Sequence, residues 1–174
     1  MKKATIVYIT RNNQGVKEVL LAIKQKFVGI GKWFGYGGKI EKGETPKACT
    51  VRETADETGK KAGLPYITLN PDKLRPVALI TFYRGETATN ALFQVLFYTC
   101  DTYTGEASDT DEMQNPTWFP VDGLPKLKEG DELIVPKILN GEILKGWIRF
   151  SENGEKLISH DIQPATAEEL VFEN

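Results

Sequence analysis

A fixed spacing of glycine, acidic and basic residues restricts the possible folds of this sequence more than any other feature. The spacing is glycine, five residues, glutamate, seven residues, arginine-glutamate, three residues, glutamate, one residue and glycine. Six fixed positions, each of a residue type with a frequency of about 6–7 per cent, coincide by chance at about one start in ten million. Chance is therefore a poor explanation for the pattern, which is formed by Gly38, Glu44, Arg52, Glu53, Glu57 and Gly59.

The second half of this spacing predicts a helix. Thr45 suits the N-cap because its hydroxyl can accept a hydrogen bond from a free amide of the first turn, and Pro46 suits the first helical position. Gly59 is a stop signal, since glycine adopts the left-handed conformation that commonly ends helices. We therefore expect a helix that begins after Thr45 and ends near Gly59.

Two glutamates of the predicted helix share one face. Glu53 and Glu57 are four residues apart, so they are neighbours separated by about 6 Å along the helix axis. Ala48, Val51 and Ala55 recur at helical spacing and predict a buried face almost opposite the two glutamates. The helix is thus expected to pack on its apolar side and to present carboxylates on the other.

The acidic patch is a candidate metal site. Asp56 borders the two glutamates, and the repulsion between like charges at this spacing would be reversed by a divalent cation. Carboxylate oxygens without histidine or cysteine suit Mg²⁺ or Mn²⁺. Arg52 can reach Asp56, or Glu44 just before the helix, and so orient the cluster. An ordinary solvated face is the alternative, and the complete spacing favours the metal site.

Composition excludes several classes of protein. Lys and Arg total 22 against 24 acidic residues, so bulk charge gives no reason to expect binding to a nucleic-acid polymer or an anionic membrane. No apolar run approaches the roughly 20 residues that a membrane-spanning helix needs. Two cysteines and one histidine exclude a disulfide framework and a multi-histidine metal site. We expect a cytoplasmic, monomeric protein without a membrane partner.

Strands mixed with two separated helices predict one α/β domain with a mixed sheet, spanning residues 1–174. Runs of β-branched and aromatic residues between turn residues indicate strands, whereas dense glycine or polar stretches indicate loops. The predicted strands are residues 5–9, 18–24, 76–83, 91–100, 117–121, 147–150 and 156–160, with a second helix at 131–139 and loops at 29–38 and 101–115.

The spacing over residues 38–60 resembles the Nudix box, Gly-x5-Glu-x7-Arg-Glu-U-x-Glu-Glu-x-Gly-U, in which U is aliphatic. The resemblance implies a Nudix-type α/β/α sandwich and a hydrolase of phosphorus-containing anhydrides. Three positions depart from the box, because Thr54 and Lys60 replace aliphatic residues and Asp56 replaces a glutamate. Other segments resemble the MutT-type branch, which hydrolyses oxidised purine nucleoside triphosphates; they are residues 32–39, 111–113, 118–119 and 146–147.

The resemblance also implies a cofactor, Mg²⁺ with Mn²⁺ as a substitute, and a small nucleotide substrate. The metal would neutralise developing charge while a carboxylate-held water attacks phosphorus, giving a nucleoside monophosphate and pyrophosphate. The implied catalytic residues are Arg52, Glu53, Glu57 and Glu112, and the implied metal ligands are the Gly37 carbonyl, Glu53, Asp56, Glu57 and Glu112. Asp56 is a direct ligand, a ligand through water or an electrostatic contributor. Glu112 is a ligand, a base or a charge in an acidic loop.

Two residues are candidates for binding the base of the substrate. Phe34 stands where the branch commonly has asparagine and can stack on a base. Asp131 stands where the branch has an adjacent acidic pair and can bond the base edge. The alternatives are a core position for Phe34 and a helix N-cap for Asp131. The predicted activity is hydrolysis of oxidised purine nucleotides such as 8-oxo-dGTP; another nucleoside-diphosphate-linked substrate and a non-catalytic nucleotide-binding module are the alternatives.

Overall fold

The computed structural model describes residues 1–27 and 29–173, which form eleven strands and two α-helices. Every predicted strand and both predicted helices are present, and most strands extend further than their sequence patterns. In chain order the elements are β1 (Lys2–Asn13), β2 (Val16–Lys24), β3 (Trp33–Phe34), β4 (Tyr36–Lys39), α1 (Pro46–Thr58), β5 (Ile67–Leu69), β6 (Arg75–Arg84), β7 (Phe93–Cys100), β8 (Tyr103–Gly105), β9 (Met113–Pro120), α2 (Asp131–Leu139), β10 (Leu144–Phe150) and β11 (Leu157–Pro164).

Nine of the strands form one mixed sheet in the order β11-β10-β6-β7-β1-β2-β3, with β4 paired to β1 and β9 paired to β2. The other two, β5 and β8, pair with each other. β1 is central because it runs parallel to β7 on one side and pairs with β4 and then β2 on the other. Its β-branched and aromatic residues suit a strand that is covered on both faces. The predicted mixed sheet is confirmed.

The two helices cover opposite faces of this sheet. On β1, Tyr8 packs into the cluster that includes α2, whereas Val7 and Ile9 pack into the cluster on the α1 side. This alternation follows from the two-residue period of a strand. The buried apolar residues that α2 contributes are Ile134, Val135, Ile138 and Leu139. The predicted α/β/α sandwich is therefore confirmed.

Both helices begin and end near their predicted positions. The Thr45 hydroxyl accepts a hydrogen bond from the Ala48 amide at 3.2 Å, and Pro46 is the first helical residue of α1. Gly59 closes α1 with a φ of 149° and donates its amide to the Ala55 carbonyl. α2 occupies the residues predicted for it. Neither helix in the part of the chain that the structure describes is long and apolar enough to cross a membrane.

The buried face predicted for α1 is correct only in part, since Ala55 is buried and Val51 packs against the core whereas Ala48 does not. Ala48 is exposed and Val51 is half-buried, so that only Ala55 of the predicted residues is buried. Polar residues take the remaining positions; the Thr50 hydroxyl, for example, donates to the helix carbonyl four residues earlier at 2.8 Å. Hydroxyls bonded in this way within their own helix can be buried, and apolar spacing does not reveal them. The buried residues of α1 are Cys49, Thr50, Thr54, Ala55, Glu57 and Thr58.

The prediction of loops at 29–38 and 101–115 is also correct only in part, because both segments contain strands. β3 and most of β4 lie within the first segment, and β8 and the start of β9 lie within the second. Thr110 and Met113 are buried. Because β3, β4 and β8 are only two to four residues long, they have little pattern of their own. Their positions depend on pairing with strands distant in sequence.

Thr54 provides a test of how α1 packs. Its hydroxyl is buried and has no hydrogen-bond partner among residues 1–27 and 29–173. Valine has almost the same shape and no polar group. We expect Thr54→Val to raise the free energy of unfolding by about 1 kcal/mol, because an unsatisfied buried hydroxyl is removed. Urea unfolding at constant pH measures this change.

Thr58 is the matched control on the same helix. Its hydroxyl donates to the Thr54 carbonyl at 2.6 Å and accepts from the Ile67 amide at 2.9 Å. Thr58→Val should therefore lower the free energy of unfolding by about 1–2 kcal/mol. A Thr54→Val protein that is less stable than the wild type would contradict the assignment of an unsatisfied hydroxyl.

Candidate active site

Two carboxylates of α1 lie against the backbone of β4. The Gly37 amide donates to Glu57 Oε2 at 3.0 Å. A Cβ at Gly38 would stand 2.4 Å from the carboxyl carbon of Glu53, so any larger residue would displace this carboxylate. The fold therefore brings Glu53, Glu57 and Gly37 together, although they come from different elements.

Arg52 positions Glu53 and also connects α1 to the loop before it. Its Nε and Nη2 donate to the two carboxylate oxygens of Glu44 at 2.8 and 2.9 Å, and its Nη1 donates to Glu53 Oε1 at 2.6 Å. The guanidinium lowers the pKa of Glu44 to about 2. Of the two partners expected for Arg52, the structure shows Glu44 and not Asp56. The two hydrogen bonds to Glu44 hold the guanidinium in one plane, and this orientation directs its third hydrogen bond to Glu53.

Glu57 is buried, contrary to its expected place on a solvent-facing side of the helix. The residue is 4 % exposed, and Lys24 Nζ lies 3.3 Å from its Oε1. Burial raises the pKa of Glu57 to about 7, although Lys24 and the Gly37 amide act in the opposite direction. A buried carboxylate is costly to ionise without nearby positive charge. Glu57 is therefore suited to binding a cation.

The chain matches the model of the NUDIX domain over residues 1–138. It belongs to the Nudix family. Two relatives are named oxidized purine nucleoside triphosphate hydrolase. The one from Danio rerio is 33% identical over 147 residues, covering 83% of this chain and 85% of the relative. The one from Mus musculus is 28% identical over 149 residues, covering 84% and 87%.

Solved structures agree with the fold of this Nudix hydrolase. A MutT protein from Bacillus halodurans superimposes with a TM-score of 0.74, at 21% sequence identity, and the match covers 93% of this chain and 97% of that chain. At this identity the likeness supports the fold alone. The family match and the hydrolase relatives favour an enzyme over the non-catalytic module considered as an alternative.

The donor set of this Nudix hydrolase fits the divalent cations that the family generally uses. Glu53 and Glu57 offer hard oxygens beside a glycine backbone, as Mg²⁺ prefers. Tyr36 adds a buried hydroxyl that has no hydrogen-bond partner among the described residues. Burial, and then the charges of Glu57 and Asp109, raise the pKa of this tyrosine. Its hydroxyl is thus an unused polar group near the acidic residues.

Asp56 and Glu112, the other predicted side-chain ligands, make no hydrogen bond with Glu53 or Glu57 through their side chains. In the described part of the chain, no three histidine, cysteine or acidic side chains are grouped closely enough to hold a metal ion by themselves. Asp56 is half-buried, and its side chain makes no hydrogen bond or ion pair with any described residue. Glu112 precedes β9, where its carbonyl accepts from the Gln25 amide at 2.8 Å. Both residues remain candidates, as ligands or as longer-range charges.

Thr110 holds the acidic loop that contains Glu112 beside α1. The buried hydroxyl of Thr110 donates to the Glu57 carbonyl at 3.0 Å and accepts from the Met113 amide at 3.1 Å. The Ser108 amide donates to the Thr58 carbonyl at 2.7 Å. These contacts join the loop to the last turn of α1, the turn that carries Glu57.

The two candidate base-binding residues lie on opposite sides of the sheet. Phe34 packs against the cluster on the α1 side, whereas Asp131 begins α2 on the other. Asp131 is buried, and burial raises its pKa to about 6 despite the opposing effect of Lys128. It is not the N-cap suggested as an alternative, because Gly130 occupies that position. The structure therefore does not bring Phe34 and Asp131 to one base.

Sequence reasoning missed three residues of this site. Lys24 follows Leu20 and Ala22 in strand alternation, and this period could have placed it on the α1 face. Tyr36 interrupts a glycine run, which is a signal of a shaped turn. Thr110 has no local signal, because its role depends on a contact with a residue 53 positions away.

The raised pKa of Glu57 leads to a prediction about stability and pH. A carboxyl group whose pKa rises from 4.5 to about 7 on folding binds its proton more tightly in the native state. Its contribution to stability is present below about pH 4.5 and is lost as the pH rises through about 7. Without divalent metal, the wild type should therefore lose stability relative to Glu57→Gln between about pH 5 and about pH 8.

Urea unfolding in the presence of a chelator measures this difference at the two pH values. Asp131, whose pKa is also raised, is present in both proteins and cancels in the comparison. If the two proteins change in parallel with pH, Glu57 has an ordinary pKa in the folded state.

Proposed function

We propose that this Nudix hydrolase is a Mg²⁺-dependent nucleoside triphosphate pyrophosphohydrolase that acts on oxidised purine nucleotides such as 8-oxo-dGTP. The products are a nucleoside monophosphate and pyrophosphate, and Mn²⁺ substitutes for Mg²⁺. One observation carries the proposal: Glu53 and Glu57 converge on the Gly37–Gly38 backbone, each beside a basic side chain. The names of the two relatives support the class of substrate.

The residues of the site have separate tasks in this reaction. When bound, the metal supplies positive charge that neutralises the phosphates and the developing transition state. Glu53 and Glu57 supply oxygen ligands, with the Gly37 carbonyl and Asp56 or Glu112 completing the set. Arg52 holds Glu53 in position. The proton of the attacking water passes to a carboxylate, for which Glu53, Glu57 and Glu112 are the candidates.

The same proposal covers the organisation of the protein and its substrate partner. The substrate is a small nucleotide rather than a nucleic-acid polymer or a membrane, and residues 1–174 act as one monomeric domain. The proposed substrate belongs to the intracellular nucleotide pool, which supports a cytoplasmic location. Cys49 and Cys100, which are both free and buried, are consistent with a reducing compartment.

Turnover tests the roles of Glu53 and Glu57. We expect Glu53→Gln and Glu57→Gln each to lower kcat by roughly a hundredfold or more, because each removes a group that stabilises the transition state. Pyrophosphate release from 8-oxo-dGTP, with and without Mg²⁺, measures the loss. Glu142→Gln is the matched control, since Glu142 is exposed and its side chain contacts no described residue through a hydrogen bond. Near-normal turnover in either site variant at saturating Mg²⁺ would contradict its role.

Substrate preference tests the role of Asp131. Because one buried carboxylate stands where the branch has a pair, we expect the kcat/KM ratio of 8-oxo-dGTP to dGTP to be below about a thousandfold. Asp131→Asn should lower this ratio further, since a group that bonds the base edge is changed. Phe34→Leu should leave the ratio unchanged, because stacking on an aromatic ring does not distinguish the two guanine rings. The reverse pattern would assign base recognition to the α1 side.

A panel of nucleotides at equal concentration separates this function from its alternative. Faster hydrolysis of a nucleoside-diphosphate-linked compound than of any triphosphate would move the enzyme to another Nudix substrate class. The metal-binding roles of Glu53 and Glu57 would be unaffected by that outcome.

A further inference from the structure

The carboxylate of Glu57 has a separate partner for each oxygen. Its Oε2 accepts from the Gly37 amide at 3.0 Å, and its Oε1 faces Lys24 Nζ at 3.3 Å. The Gly37 partner is main chain, fixed by the pairing of β4 with β1. The Lys24 partner is a side chain on four rotatable bonds. The two contacts therefore differ in how easily they can be released.

The backbone of Lys24 is held by hydrogen bonds that do not involve its side chain. Its amide donates to the Lys32 carbonyl at 3.0 Å, and its carbonyl accepts from the Gly31 amide at 2.8 Å. Alternation along β2 places its side chain on the α1 face, as it does for Leu20 and Ala22. The side chain of Lys24 is 18% exposed, against 3% for the side chain of Glu57, so the lysine is the more accessible partner of the pair.

The amine of Lys24 has one partner in residues 1–27 and 29–173, which is Glu57. Nothing else in that part of the chain holds it at the site by a hydrogen bond or an ion pair. An ammonium group and a divalent cation cannot occupy the same side of one carboxylate oxygen, and they repel each other at short range. A cation that binds Glu57 Oε1 on the side that faces Lys24 must therefore displace Lys24.

We propose that Lys24 is an exchangeable counter-ion, which holds the Glu57 carboxylate in place in the metal-free enzyme and competes with the divalent cation for it. The affinity for metal is then lower than the carboxylates alone would give, and Lys24 moves away from Glu57 when the metal binds. This inference rests on the proposed function, in which Glu57 is a metal ligand. Lys24 is a positioning residue in this inference, because it acts on metal affinity through the carboxylate of Glu57.

Direct binding of Mn²⁺ tests the proposal without measuring turnover. The electron paramagnetic resonance signal of free Mn²⁺ reports the dissociation constant for each protein. Lys24→Met and Lys24→Gln remove the competing charge and should bind Mn²⁺ roughly tenfold more tightly than the wild type, since an ion-paired hydrogen bond no longer has to be broken. Lys24→Arg keeps a competing cation and should stay within about threefold of the wild type.

Two further proteins complete the design. Lys32→Met loses the same charge from an exposed position without an ion pair to any described residue, and it should bind Mn²⁺ as the wild type does. The double variant Lys24→Met/Glu57→Gln should lose the tighter Mn²⁺ binding of Lys24→Met, because the carboxylate for which lysine and metal compete is absent. Circular dichroism establishes that each protein is folded, and Lys24→Gln serves if Lys24→Met is not.

The outcomes separate the two proposals. If the wild type binds Mn²⁺ and both neutral Lys24 variants bind it equally or more weakly, the competition is refuted while the proposed function stands. If a neutral Lys24 variant gains affinity and Lys32→Met gains as much, the effect is one of general charge, and the competition is again refuted. If no protein in the set binds Mn²⁺, the proposed function and the inference fail together.

Discussion

The close approach of α1 to the Gly37–Gly38 backbone determines where the acidic residues of this Nudix hydrolase lie. A Cβ at Gly37 would stand 2.1 Å from the Thr5 carbonyl oxygen, and one at Gly38 would stand 2.4 Å from the Glu53 carboxyl carbon. A side chain at the first position would push β4 away from β1, and one at the second would displace the Glu53 carboxylate from β4. These glycines therefore allow β1, β4 and the Glu53 carboxylate to lie close together.

The elements of the fold were predictable where local chemistry determines them. Thr45, Pro46 and Gly59 act within one turn of the helix ends, so α1 was found from the sequence. Most of the buried face of α1 was not found, because Thr50 and Thr58 are buried with hydroxyls bonded to helix carbonyls and therefore behave as core residues. The short strands β3, β4 and β8 exist through pairing with distant segments, which no local pattern records.

The site also combines contacts between residues near in sequence, which were predictable, with contacts between distant residues, which were not. Arg52 and Glu44 are only 8 positions apart, and Glu44 was one of the two partners expected for Arg52. The contact of Lys24 with Glu57 spans 33 positions and requires the register of β2 against the helix, which only the folded chain shows. Burial of Glu57 follows from the same packing. Residue spacing thus identified the carboxylates but not their environment, and the raised pKa of Glu57 is a property of that environment.

The two carboxylates at the Gly37–Gly38 backbone differ in the kind of cation beside them. Glu53 is held by Arg52, whose guanidinium is fixed in one plane by Glu44 and donates to Glu44 and Glu53 at once. Glu57 faces Lys24, a point charge on a flexible stem with this single partner among the described residues. A rigid partner suits a carboxylate that must keep its direction. A movable partner suits one that must be buried in the free protein and become available to a ligand.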